Sequence, residues 1–217
     1  MASSAVSGKK PRKERKDNAD KRRRQILDAT FTSIVTHGLA KTTLATVAGE
    51  AGLSQGVAVF YFKSKTGILT EALRDLYQKY EAHWQRALDK AGSEPAKRLR
   101  AIVEADFAPK LCNSNTLAVW FAFFGEQKFV PQYAEITGQY ERKRAEMISE
   151  ICRQLAHEEA KTALAGEWID TLTDGYWQKL HLFPQRYSRS NAVAHTLDVV
   201  ATLFPEHAAY FQADPIN

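Results

Sequence analysis

Gln55, Gly56, Val57 and Phe60 stand close together in a short apolar-periodic stretch, with side chains suited to reading base pairs. The carboxamide of Gln55 can pair in bidentate fashion with adenine, and Val57 can touch a thymine methyl. Gly56 leaves room for the backbone to approach a groove, and Ser54 occupies the position of a helix N-cap, accepting from the Val57 N–H. Thr43, Tyr61 and Lys65 offer a hydroxyl, a phenol and an ammonium, groups that meet phosphate oxygens and position a protein without specifying sequence. For Gln55 the alternative is a solvated helix N-terminus.

A second group lies far along the chain. Trp120, Phe121, Phe123 and Phe124 fall within five positions, followed by Phe129 and Tyr133, and then by Tyr176 and Trp177. Leu117, Phe121 and Phe124 have the spacing of a helix core. Trp120, Phe123, Tyr133, Tyr176 and Trp177 could instead line a cavity. Asp106 shares a helical face with Leu99 and Val103, a costly place for an unpaired charge. Asp174 precedes Trp177 by three residues, on the same side of a helix. Aromatic faces plus a carboxylate suit a quaternary ammonium, which has no N–H to donate; each face contributes about 0.5–2 kcal/mol. The alternative is that both aspartates pair with arginine or cap backbone.

Other chemistries find no support. The histidines at 37, 83, 157, 181, 195 and 207 form no H-E-x-x-H or similar ligand pair. There is no Gly-rich phosphate loop and no G-x-S-x-G elbow. His181 near Trp177 is better read as a polar or surface side chain than as a general base. No catalytic residue, metal site or cofactor is expected. Cys112 and Cys152 lack metal-type spacing and read as reduced thiols of a cytoplasmic protein.

The base-reading set needs two short helices. Leu44, Val47, Ala48 and Ala51 recur at helical spacing, Gly52 can take the left-handed conformation that ends a helix, and Ser54 opens the next. This pattern is a helix-turn-helix or an ordinary αα corner. Ahead of it, Leu27, Phe31, Ile34 and Val35 mark a helix starting near Asp20 and ending at His37-Gly38. Behind it, Ile68, Leu69, Leu73, Leu76, Tyr80 and Trp84 mark a long amphipathic helix, broken at Gly92-Ser93-Glu94-Pro95. Five more helices follow at about 95–111, 114–128, 131–156, 158–183 and 189–203. The expected fold is all-α: a three-helix DNA-binding domain over 19–66, a connecting helix over 67–92, and a five-helix ligand-binding and dimerisation domain over 93–210.

Charge adds a fourth region. Residues 1–24 hold ten Lys or Arg against three acids, a local +7 that leaves −2 of the chain's +5 for residues 25–217. Residues 1–18 read as a disordered basic arm, either a solvated tail or a source of phosphate attraction beside the reading helix. No apolar run reaches the length of a membrane span, and no apolar stretch follows the basic start as in a secretory signal.

The layout and residues together resemble the TetR family of one-component bacterial repressors. The resemblance runs from about residue 20 to 205 and is most specific at Ala48, Gly52, Ser54, Gly56, Tyr61, Phe62, Lys65 and Leu69. Val59 departs from it, since many members carry tyrosine there. Within the family, Arg22-Arg23-Arg24-Gln25, Arg98–Val103, Ala118–Phe123 and Asp174-Gly175-Tyr176-Trp177 resemble the choline-responsive repressors of glycine-betaine synthesis. This implies a homodimer on a palindromic double-stranded DNA operator, with choline or a related cation as effector and a cytoplasmic, nucleoid-associated location. A sensor of other cationic or lipophilic compounds, controlling efflux or catabolic genes, is the alternative. Two apolar stripes, Trp168–Leu172–Tyr176–Leu180–Phe183 and Val193–Leu197–Val200–Leu203, either fill the protomer's own core or pair with a symmetry mate.

Overall fold

The computed structural model describes residues 12–156 and 158–212. Among them nine α-helices and a short 3₁₀ helix follow one another without a strand. The helices are α1 (Arg12–His37), α2 (Leu44–Glu50), α3 (Gln55–Phe62), α4 (Lys65–Ala91), α5 (Pro95–Asp106), α6 (Ser114–Glu126), α7 (Pro131–Leu155), α8 (Glu159–Leu182) and α9 (Arg189–Leu203). The 3₁₀ turn spans Pro205–Tyr210. The chain divides into two compact units inside α4, between Ala72 and Leu73.

In the first unit α1 packs on α2 and α2 on α3. Ile26, Ile34, Val47, Ala48, Ala58, Phe62, Ile68 and Leu69 fill the interior. The Ser33 and Thr42 hydroxyls are buried with them, and that of Thr46 is half-buried. Ser33 Oγ lies 3.2 Å from Thr42 Oγ1 and 3.1 Å from Thr46 Oγ1, and Thr42 donates to the Gly38 carbonyl at 2.9 Å. Each buried polar group therefore has a partner, and the network ties α1 to the start of α2.

The second unit is built on α7 against α8, with α5 meeting α7 and α9, and α8 also meeting α6 and α9. Side-chain caps set several of its helix starts: Asn113 accepts from the Thr116 N–H, and Ser188 accepts from the Asn191 N–H. Pro95 and Pro131 sit in first turns, where a missing N–H costs nothing.

Two helix bounds shift by several residues. α1 starts at Arg12, not near Asp20, so residues 12–18 of the expected arm are helical; the run has no Gly or Pro, and Lys, Arg and Glu are good helix formers. The rest of that arm, 1–11, lies outside the described residues. α5 stops at Asp106 instead of 111, because Pro109 disfavours helical geometry at Ala108. On α9, Leu197, Val200 and Leu203 are buried within the protomer and Val193 is half-buried, as the core-filling alternative has it for most of that stripe. No described helix is long and apolar enough to cross a membrane.

Candidate DNA interface and ligand cleft

The turn between α2 and α3 is fixed by backbone geometry. Gly52 has φ +64°. Its N–H donates to the Gly49 carbonyl at 3.0 Å, and the Leu53 N–H reaches back to Ala48 at 2.8 Å. This double closure is a Schellman motif and satisfies carbonyls that the end of α2 would otherwise leave open. The side-chain amide of Gln25 donates to the Ala51 carbonyl at 2.7 Å, pinning the same turn to α1. At the other end Thr43 and Thr46 form a reciprocal capping box: the Thr46 N–H donates to Thr43 Oγ1 at 3.1 Å, and the Thr43 N–H to Thr46 Oγ1 at 2.8 Å.

α3 begins where the sequence places it, but Ser54 makes no side-chain cap bond. Its backbone carbonyl accepts from the Val57 N–H at 3.0 Å instead, so the expected hydroxyl cap is corrected. That leaves the Ser54 hydroxyl outside the helix's own bonding. Ala58 and Phe62 face inward. Gln55, Gly56, Val59 and Phe60 are exposed on one side, while Val57 and Tyr61 are half-buried. Phe60 is 69% exposed, with its ring 5.2 Å from that of Tyr61. The outward face thus combines an amide, a bare backbone stretch and two apolar side chains.

The following turn is tightly built. Lys63 has φ +64°, and the Ser64 N–H donates to the Phe62 carbonyl at 2.7 Å, closing a three-residue γ-turn. Ser64 Oγ accepts from the Gly67 N–H at 3.0 Å and caps α4. A Cβ at Gly67 would stand 2.3 Å from the Phe62 carbonyl oxygen, so only glycine fits. Lys65 hydrogen-bonds the Ala40 carbonyl, at the edge of the same surface.

In the second unit a narrow cleft is lined by Tyr77, Tyr80, Trp120, Phe124 and Trp177, with Glu141, Arg144, Asp170, Thr173 and Asp174. The Tyr77 and Trp120 ring centroids are 4.6 Å apart, and Trp120 lies 5.9 Å from both Tyr80 and Trp177. The cavity volume is about 20 Å³, enough for one water. Trp120 Nε1 is buried without an acceptor.

Of the seven expected ligand residues, Trp120, Asp174 and Trp177 line this cleft. Asp106 is fully buried and its oxygens are occupied: Tyr80 Oη donates to Oδ1 at 2.7 Å, Arg144 Nη2 to Oδ2 at 2.6 Å, and Thr173 Oγ1 to Oδ2 at 3.3 Å. The arginine-paired alternative describes this aspartate. Phe123 and Tyr133 pack edge to face at 5.2 Å, away from the cleft lining. Tyr176 bonds His195 Nδ1 at 2.8 Å on another side of α8.

Sequence reading missed Tyr77, Glu141 and Arg144. Arg144 also pairs with Asp170, and Tyr77 Oη donates to Glu141 at 3.2 Å. Four carboxylates therefore surround one guanidinium. Packing of protein around Glu141 and Asp174 raises both carboxyls above their usual range; Arg144 opposes the shift, and the like charge of Asp106, with that of Asp174 on Glu141, adds to it. Asp174 reaches solvent at the rim, and no ion pair holds it among the described residues.

Residues 26–72 match the family model of bacterial regulatory proteins, tetR family, and residues 95–205 match that of the BetI-type transcriptional repressor C-terminal region. The chain is 32% identical over 183 residues to the HTH-type transcriptional regulator BetI of Serratia proteamaculans, covering 82% of this chain and 90% of that one. The BetI of Stenotrophomonas maltophilia is also 32% identical, over 72% of this chain and 79% of its own length. A transcriptional regulator of Pseudomonas aeruginosa PAO1 shares the fold with a TM-score of 0.78 at 23% identity, over 89% of this chain and 95% of that one. A regulator from Saccharomonospora viridis, solved in complex with choline, gives 0.72 at 20% identity, over 83% and 96%.

Proposed function

The chain belongs to the TetR family of bacterial transcriptional regulators, with a BetI-type C-terminal half, and from that premise we propose a dimeric repressor released from its operator by choline or a closely related quaternary ammonium cation. It is a regulator, not an enzyme, and regulators of this family bind DNA and small effectors and act as dimers.

The exposed face of α3 reads base edges through Gln55, Val59 and Phe60, with Val57 at its margin and Gly56 allowing close approach. Thr43, Ser54, Tyr61 and Lys65 surround it and contact phosphates. One such helix covers too few bases, so a second copy places its own about 34–36 Å away on the same duplex. The exposed Leu164 and Trp168 of α8 supply the apolar contact between copies.

The observation that carries the effector assignment is the excess of carboxylate over cation in an aromatic cleft. Trp120, Trp177 and Tyr77 offer ring faces, Asp174 and Glu141 offer charge that Arg144 does not fully neutralise, and the unpaired Trp120 N–H suits a ligand hydroxyl. Asp106 positions Arg144 and Tyr80 behind this surface. A quaternary ammonium exceeds the one-water cavity, so binding must displace the rings. Tyr77 and Tyr80 belong to α4, the same continuous helix that begins the connection from the DNA-reading unit. Displacement of α4 changes head spacing, and a coupling of about 1–3 kcal/mol suffices for regulation. The chain works in the cytoplasm, where operator and effector meet.

The test is an operator titration at fixed salt with and without choline. Weakening by tenfold or more is expected; no change overturns the effector assignment while leaving DNA binding intact. Competition with bulky lipophilic cations separates this reading from a drug sensor.

A further inference from the structure

A second cleft lies between α4 and α5, apart from the aromatic one. On α4, His83, Arg86, Ala87 and Lys90 follow at helical spacing; on α5, Lys97, Arg100, Ala101 and Glu104 do the same, so one face of each helix lines the cleft. The cleft is open to solvent and offers about 490 Å³, against about 20 Å³ for the aromatic cavity. Four cations line it against the single carboxylate of Glu104.

The cations differ in occupation. Arg100 is held by Glu104 at 2.7 Å and by the Tyr210 and Gln212 carbonyls at 3.1 and 2.9 Å. Arg86, Lys90 and Lys97 make no ion pair or side-chain hydrogen bond among the described residues. They leave a local excess of positive charge at the exposed rim of the cleft. His83 senses it: burial, then the charges of Arg86 and Lys110, hold its imidazole below the usual range, with Asp106 opposing and Lys90 adding to the shift. The small side chains of Ala87 and Ala101 keep the floor open.

We propose that this cleft is a binding site for a small polyanion carrying two or more linked phosphate-type groups. A single oxyanion reaches the cations of one helix, whereas a di- or triphosphate spans Arg86 and Lys90 on α4 and Lys97 on α5 together. Arg100 is pre-oriented by its backbone partners, and the alanine floor admits the linker. A duplex is the other source of phosphate, but its backbone needs cations spread along a convex or extended surface. Here they line the two sides of one groove.

The probes are pyrophosphate, ATP without magnesium and inorganic phosphate, titrated calorimetrically into the full-length protein at constant ionic strength. Saturable binding of pyrophosphate and ATP, at one per protomer and at least tenfold tighter than phosphate, is expected. The exposed pair Lys90→Ala/Lys97→Ala should lose that binding by tenfold or more while keeping the circular dichroism and melting temperature of the parent. The basic segment 9–24 is unaltered in this variant, so nonspecific attraction there cancels. By NMR the His83 ring should titrate higher with pyrophosphate bound. Non-saturating binding, equal affinity in the double variant, or displacement by a random duplex at matched phosphate concentration would each overturn the site.

Discussion

Arg144 donates to Asp106 at 2.6 Å in the interior of the second unit, and both side chains are withdrawn from water. A buried pair contributes little relative to apolar packing, but breaking it strands a charge. Tyr80 and Thr173 complete the coordination of Asp106, and Trp177 Nε1 donates to its backbone carbonyl at 3.0 Å. One aspartate thus organises the wall behind the aromatic cleft without presenting a carboxylate to it.

Asp106→Asn is accordingly expected to lower stability by about 3–5 kcal/mol in urea unfolding. Asp174→Asn, at the rim and unpaired, should change stability by no more than about 0.5 kcal/mol yet weaken choline binding by tenfold or more. Equal effects of the two on stability would contradict this division of roles.

Choline affinity should depend on pH in a defined direction. The Glu141 and Asp174 carboxyls are raised, chiefly by burial, so they hold protons more firmly folded than unfolded. Their ionisation works against folding as pH rises through the raised range, and a bound cation offsets that cost. Binding should therefore weaken as pH falls through the raised carboxyl range, with proton uptake on release. Isothermal titration across that range checks it, and Glu141→Gln with Asp174→Asn should flatten the profile.

Much of the first unit was readable because its signals are local. Gly52 at a helix end, Val47 and Ala48 at core spacing and the two flanking helices all follow from short-range pattern. Ser54 misled only in which atom caps the helix: carbonyl and hydroxyl are equally consistent with the residue type. The cleft was harder. Arg144 lies in Glu141-Arg142-Lys143-Arg144, a run that looks solvated throughout, and only tertiary packing selects one guanidinium for burial. Tyr77 hides in the apolar stripe of α4 for the same reason. Phe123, Tyr133 and Tyr176 are aromatic like their neighbours, and composition does not tell which face of a helix meets a cavity.

Two glycines give opposite expectations for the same substitution. Gly67→Ala forces a Cβ against the Phe62 carbonyl and should destabilise the protein by more than about 2 kcal/mol, with loss of operator binding. Gly49→Ala meets nothing within 4 Å inside α2 and should stabilise by up to about 1 kcal/mol. Thermal melts of the two variants decide the point; a neutral Gly67→Ala would contradict the turn geometry.

Trp168→Glu places a charge on the exposed apolar stretch of α8, where Trp168 is 43% exposed and Leu164 39%. Sedimentation should show a monomer in place of a dimer, and operator affinity should fall by about 100-fold or more because the two heads bind separately. A dimer of unchanged stability would move the interface elsewhere.

Base reading by α3 stands at the centre. Genomic fragments selected by the wild-type protein, and in parallel by Gln55→Ala and Lys65→Ala, test it in one measurement. The wild type should recover a palindrome with half-sites one helical turn apart. Gln55→Ala should relax one base position per half-site, at a cost of about 1–3 kcal/mol, and Lys65→Ala should weaken all fragments alike. Recovery of fragments without a shared sequence, or an unchanged motif with Gln55→Ala, would contradict it.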